Sequence, residues 1–442
     1  MAIDRGPARE RYDGNRNVTV NALLLTAGFA ACALLGLPFA LSIGIVVALV
    51  LIVSGIEPAF LAQQFVAGSQ QFSLIAIPLF MLAGELMSAG GMSQRLVNVA
   101  SVLVRHRTGG LAMVAVLAAL IFSSISGSAP ATTAAIGAIM IPAMANAGYD
   151  KAFAASIAVS AGVLGPLIPP SIAFVIWGTI AEQSVGRLFL SGIVPGLCIA
   201  FGLLIVCYVH AKRNGVPKQE KASWTETGNA FLEGKWALLS PVIVLGGIYG
   251  GVFTPTEAAG ISCVYAAIIG LLVERRLKLR DLFPVTLRAA RTSAVVTAIV
   301  AVSTGYGVLI AQEHIATDLA TWLASHVQQK WIMLAGLNIA FFLLAAVMDE
   351  LAILVILGPM LIAIGTKFGV DPIHLGAIIV TNVAIGMAAP PIGYCLFVGM
   401  AISGLSLGRI ARVIWPQILV MLVVLFLTTY IPQFALIFQP AK

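Results

Sequence analysis

Apolar stretches of about 18–20 residues follow one another along this chain, each long enough to cross a bilayer as a helix. Lipid offers backbone N–H and C=O groups no partner, so only helices and closed barrels span it. A barrel requires short segments of alternating polarity, whereas the runs here are long and uninterrupted. Hydrophobic residues make up 60% of the 442 and charged residues 10%, against about 45–50% and about 25% in soluble globular chains. The expected fold is an all-α polytopic membrane protein. The first seventeen residues are polar, with no short apolar core before a small-residue cleavage site, so no cleavable signal peptide is expected.

Two of the apolar runs break themselves. "AGVLGPLIPPSIAF" (161–174) carries Gly165, Pro166, Pro169 and Pro170, and "VAIGMAAPPIGYC" (383–395) carries Gly386, Pro390 and Pro391. Sliding the chain by the 221 residues between Gly165 and Gly386 also aligns Gly148, Asp150, Ile157 and Val159 with Gly369, Asp371, Ile378 and Val380. The chain is therefore read as a 1–17 tail, repeat one (18–210), a cytoplasmic linker (211–234) and repeat two (235–438). Each repeat holds a paired segment (109–147 and 331–370) and a broken crossing (151–182 and 371–402). Shorter, more polar helices are expected at 58–70 and 278–291, single helices at 235–252, 292–313 and 413–433, and cytoplasmic loops at 91–108 and 211–235. Basic residues in 91–108, 211–235 and 275–291 place those stretches in the cytoplasm. The N-terminus then lies outside, although it carries Arg5, Arg9, Arg11 and Arg16. An odd number of crossings per repeat makes the copies inverted, the architecture of secondary transporters, whose broken helices mark the binding site.

The breaks have a chemical use. A helix ending near Gly165 presents carbonyls that suit a cation, and one starting at Pro170 presents N–H groups that suit an anion. Proline is tolerated in that first turn because its missing N–H would have been unpaired. Gly386 and Pro391 repeat the arrangement. Serines and threonines crowd "FSSISGSAPATTAAIG" (122–137), where Ser128 is placed to cap the returning helix. This segment reads either as a re-entrant hairpin tip or as two full helices joined by a surface loop. In the second repeat Asp349 and Glu350 occupy the corresponding turn. They are a functional site if they lie at membrane depth, and a plain loop if they reach water. Asn382, leading to the second break, is a further polar candidate.

Several functions are set aside. The net charge of +7 falls in short loops and marks no nucleic-acid partner. The five cysteines lie in apolar segments without a CxxC pair, and the histidines are scattered. There is no HExxH motif and no glycine-rich phosphate loop, so no cofactor and no ATPase chemistry is expected. A channel or an intramembrane protease is a remote alternative, since no serine–histidine or paired-aspartate arrangement is evident.

Taken together, "IPLFMLAGELM" (77–87), "SGSAPATTAAIGAIMIPAM" (126–144), "GPLIPPS" (165–171), "LFLSGIVPGL" (188–197), "FTPTEAAG" (253–260) and "GMAAPPIG" (386–393) resemble the large membrane subunit of the tripartite ATP-independent periplasmic (TRAP) transporters. The resemblance runs from about residue 20 to 438. It implies an elevator-type carrier of the ion transporter superfamily in a bacterial or archaeal cytoplasmic membrane. Its partners would be a small membrane subunit and a periplasmic solute-binding protein, and its cargo an organic acid driven inward by sodium. The same resemblance implies one sodium site at Ser123, Ser126, Gly165, Ile168 and Pro170, and a second at Val347, Gly386, Ala389 and Pro391, mostly through backbone oxygens. It places Ser126, Ser128, Ser171 and Asp349 near the substrate. Three residues depart from the family pattern: Ala389 stands where threonine is usual, Glu350 follows Asp349, and Pro130 replaces a common valine. The alternative within the superfamily is a stand-alone sodium–carboxylate symporter.

Overall fold

A computed structural model describes residues 21, 23–57, 59–216 and 218–439. The expected polar tail at 1–17 lies outside them. Among the described residues every regular element is a helix. Five are each long and apolar enough to cross a membrane: Val185–Asn214, Trp224–Tyr249, Pro255–Val273, Leu279–Gln312 and Glu350–Lys367. Two bent pairs meet the same test jointly, Ala76–Ala89 with Met92–Val104 (69°) and Tyr394–Ser403 with Leu407–Val413 (111°).

The chain divides into two compact units. Of the described residues, the smaller comprises those up to 71, with 294–328 and 354–370. Within it the Asn21 amide donates to Ser54 Oγ at 2.8 Å and to Glu313 Oε1 at 2.7 Å, and the Tyr306 hydroxyl donates to the Leu25 carbonyl at 3.1 Å. Gly68 lies against Ala301 and Thr304, where a side chain would not fit. Buried polar hydrogen bonds and close small-residue contacts replace the hydrophobic effect where the surroundings are lipid.

The larger unit comprises the described residues within 72–293, 329–353 and 371–439. It holds the first hairpin (Gly110–Ser126 and Ala129–Asn146) and the first broken crossing (Lys151–Gly162 and Ile172–Ile180). The second broken crossing (Pro372–Gly386 and Tyr394–Ser403) is also here. So are the first arm of the second hairpin, Lys330–Ala345, and the first turn of its second arm, Glu350–Lys367.

The residues shared between the repeats have identifiable jobs. Gly148 and Gly369 take positive φ, 89° and 64°, which glycine adopts without strain. Two residues later Asp150 and Asp371 cap the helices entering the breaks, accepting from Phe153 N at 3.3 Å and from Ile373 N at 2.9 Å. Both Pro–Pro bonds, 169–170 and 390–391, are cis.

Several helix readings need correction. Met92–Val104, read as part of a loop, is a helix that buries Leu96, Val97, Val99 and Ala100. Its polar face is paired: Arg95 with Glu233 and Glu274, and Gln94 with Asn98. The helix read from 235 starts at Trp224, because Ser223 caps it by accepting from Glu226 N at 3.0 Å. The helices read as 278–291 and 292–313 are one, Leu279–Gln312, since Pro284 sits near its start and leaves later turns unbroken. The last helix, read as 413–433, divides at Ile414 and again at Ile431.

Candidate functional site

The first break is shorter of helix than the sequence implied. Lys151–Gly162 stops three residues before Gly165, and the second half begins at Ile172 rather than Pro170. Pro170 is therefore outside the first turn. Ser171 is the cap, its Oγ accepting from Phe174 N at 3.2 Å. In the second break the first half does end at Gly386, but the second half starts at Tyr394, with Gly393 before it and Pro391 again outside. Proline enters the connection in both copies, where a residue without an N–H leaves no donor unmet.

Each break is pressed against its hairpin tip. A Cβ on Gly165 would lie 2.5 Å from the carbonyl of Ser128, and one on Gly386 would collide with Ala345. Ile172 N donates to Gly127 O at 3.3 Å, and Gly393 N donates to Ala346 O at 2.9 Å. Positions 172 and 393 differ by the same 221 residues as the glycines. The two assemblies also meet: Trp177 Nε1 donates to Pro372 O at 3.0 Å, and Gly376 is packed under the Trp177 ring. Gly399 of the second broken crossing lies against Val159 of the first.

Around these junctions lie oxygens in need of partners. In the first break the carbonyls of Gly165, Ile168 and Pro170 accept no backbone hydrogen bond among the described residues. Ser123 and Ser160 are fully buried, and their hydroxyls have no partner. In the second, Gly386 O is taken by Ala389 N at 2.9 Å, while Ala389 O and Pro391 O accept no backbone bond. Thr381 Oγ1 and Asn382 Oδ1 are buried there without partners. Thr381 is the repeat counterpart of Ser160. A buried polar atom without a partner costs about 1–3 kcal/mol, and a bound ion removes that cost.

The predicted residues fare unevenly. Ser123, Ser126, Ser128, Gly165, Pro170 and Ser171 belong to one junction, and Ile168 is buried in the same break. Ser126 Oγ is hydrogen-bonded to Thr132 Oγ1 at 2.7 Å. Ser128 occupies the cap position of Ala129–Asn146 but makes no side-chain cap bond, contrary to the sequence reading. Asp349 acts locally, since its Oδ1 accepts from Leu351 N at 3.0 Å and starts Glu350–Lys367. Its neighbour Glu350 is only 4% exposed, with Oε2 unpartnered. Val347 and Pro391 are exposed. Asn382 donates to Asn338 O at 2.9 Å and to Asn338 Oδ1 at 3.0 Å, and Asn338 donates to Thr429 at 2.8 Å. Sequence reasoning passed over Ser160 and Thr381; only their matching place in the repeat could have signalled them.

A helical membrane protein with two broken crossings, each seated on a hairpin tip, has the architecture of the class of secondary membrane transporters. The chain is a member of a known family within that class. Residues 26–434 match the family model of the tripartite ATP-independent periplasmic transporter, DctM component, and the chain belongs to that family. It is 40% identical to the C4-dicarboxylate TRAP transporter large permease protein DctM of Pseudomonas aeruginosa, over 83% of this chain and 86% of that protein. It is 36% identical to the protein of the same name from Rhodobacter capsulatus, over 94% of this chain and 98% of that one. It is 39% identical, over 93% of its own length, to the isethionate TRAP transporter permease protein DctMQ of Oleidesulfovibrio alaskensis, and spans 65% of that longer relative. The crystal structure of the Alcanivorax borkumensis YdaH transporter, which has an unusual topology, shares the fold. Its TM-score is 0.61 at 14% identity, over 84% of this chain and 86% of that one. The protein is thus a multi-pass membrane transporter component and not an enzyme.

Proposed function

We propose that this chain imports a small organic acid across the cytoplasmic membrane of a bacterium or archaeon, driven by a sodium gradient. A periplasmic solute-binding protein delivers the cargo, and a small membrane subunit completes the carrier. The observation that carries this reading is the doubled junction of break and tip, each with buried oxygens that lack donors. Oxygen atoms with no redox or proton role suit a hard monovalent cation. Ser123, Ser126, Gly165, Ile168 and Pro170 hold one sodium ion; Val347, Gly386, Ala389 and Pro391 hold the other, with the Thr381 hydroxyl added. The positive N-terminal end of the Ile172–Ile180 dipole attracts the carboxylate of the cargo, with Ser126, Ser128 and Ser171 around it and Asp349 near the rest of the substrate. Relatives named for C4-dicarboxylate, isethionate and sialic acid all point to organic anions. Because both junctions combine ligands on hairpins and broken crossings, cargo and ions travel together in an elevator-like displacement.

The test is uptake into proteoliposomes containing this chain and its small subunit, with binding protein supplied outside. Labelled C4-dicarboxylate should enter under an inward sodium gradient and only with the binding protein. Equal uptake from sodium-free buffer under a proton gradient contradicts sodium coupling. Uptake without binding protein indicates a stand-alone symporter.

A further inference from the structure

The helix Leu279–Gln312 has 34 residues. At 1.5 Å per residue it is about 51 Å long, and a hydrocarbon core of about 30 Å holds little more than half of it. Its unbroken apolar run begins after Arg291, so its first turns project into the headgroup region. There, and in the turn before it, cations alternate with bare apolar side chains. Arg275, Arg276, Lys278 and Arg291 are exposed and form no ion pair among the described residues. Arg288 is different, since it pairs with Glu85 at 3.2 Å. Arg276 is steadied against Gly91, where a side chain would clash with it. Beside the cations Leu272 is 67% exposed, Leu279 78% and Phe283 75%.

We infer that 272–291 is a binding surface for anionic phospholipid headgroups of the cytoplasmic leaflet. Unpaired guanidinium groups match a phosphate that carries net charge, while Leu272, Leu279 and Phe283 match acyl chains at the same depth. A soluble acidic protein would meet the cations but leave those three side chains in water. A zwitterionic lipid would cover them but bring no net charge. Clustered cations next to a membrane-crossing helix favour anionic lipid by about fivefold per cation at low salt.

The experiment places the full chain in lipid nanodiscs containing traces of spin-labelled phosphatidylglycerol or spin-labelled phosphatidylcholine. The immobilised fraction of each label is then compared. The wild type should hold phosphatidylglycerol at least about fivefold more strongly, the effect of a single cation. The quadruple variant Arg275→Gln, Arg276→Gln, Lys278→Gln, Arg291→Gln should hold both equally, and Arg275→Lys with Arg276→Lys should keep the preference. Equal retention of the two labels by the wild type overturns the inference, as does an unchanged preference in the glutamine variant.

Discussion

Ile172 donates its amide hydrogen to the carbonyl of Gly127 over 3.3 Å, joining the second half of a broken helix to the tip of a hairpin. The Gly393 amide does the same to Ala346 at 2.9 Å. Gly165 and Gly386 make these junctions possible, because neither has room for a Cβ. Gly165→Ala and Gly386→Ala should each cost about 1–3 kcal/mol of stability through overpacking. Thermal unfolding followed by tryptophan fluorescence checks this. Wild-type stability in both would mean that the tips are loosely seated.

Ser171 is a cap and lies in the proposed substrate region, and two substitutions separate these roles. Ser171→Ala removes the acceptor for Phe174 N and should cost about 1 kcal/mol. Ser171→Gly adds no bulk to this buried position and costs a helix cap only a few tenths of a kcal/mol, so stability should nearly recover while uptake stays impaired by the missing hydroxyl. If uptake recovers as fully as stability, Ser171 serves the helix alone.

Asp349 poses the same question for the second tip. Asparagine caps about as well as aspartate, so Asp349→Asn should preserve expression and folding. Uptake should nevertheless fall, because an amide does not replace the carboxylate's charge beside the substrate. Wild-type uptake by that variant would leave Asp349 as the cap of Glu350–Lys367 and nothing else.

Motion is tested by cross-linking. The native cysteines are unpaired in the structure, so Cys32, Cys198, Cys207, Cys263 and Cys395 are first replaced. New pairs then link the segments 109–182 and 331–402 to the remaining helices in two vertical registers. Elevator displacement predicts that both registers cross-link in an active protein. If only pairs between the two repeats trap distinct states, the halves rock instead.

Much of this was legible in the sequence because the repeat is written in residues with strict conformational duties. Gly148 and Gly369 mark left-handed turns, Asp150 and Asp371 mark helix starts, and the Pro–Pro pairs mark connections that cannot continue a helix. The positions of the caps at the breaks were less legible. Ser171 competes with Pro170 as a start signal, and only backbone geometry decides between them. Met92–Val104 was hidden by its arginine and amides, whose partners lie as far along the chain as Glu233 and Glu274. The unmet hydroxyls of Ser123, Ser160 and Thr381 depend on what does not surround them, which no local pattern encodes.

The buried oxygens at the two junctions are proposed as sodium ligands. Equilibrium binding of radioactive sodium to the purified carrier tests this most directly, comparing wild type with Ser123→Ala and Thr381→Val. Both substitutions delete a buried hydroxyl that has no protein partner, so in sodium-free buffer neither should lower stability. Each variant should lose part of the saturable sodium binding, and the double variant most of it. Sodium binding that saturates in the double variant as it does in the wild type, with unchanged affinity, would contradict sodium ligation at the junctions.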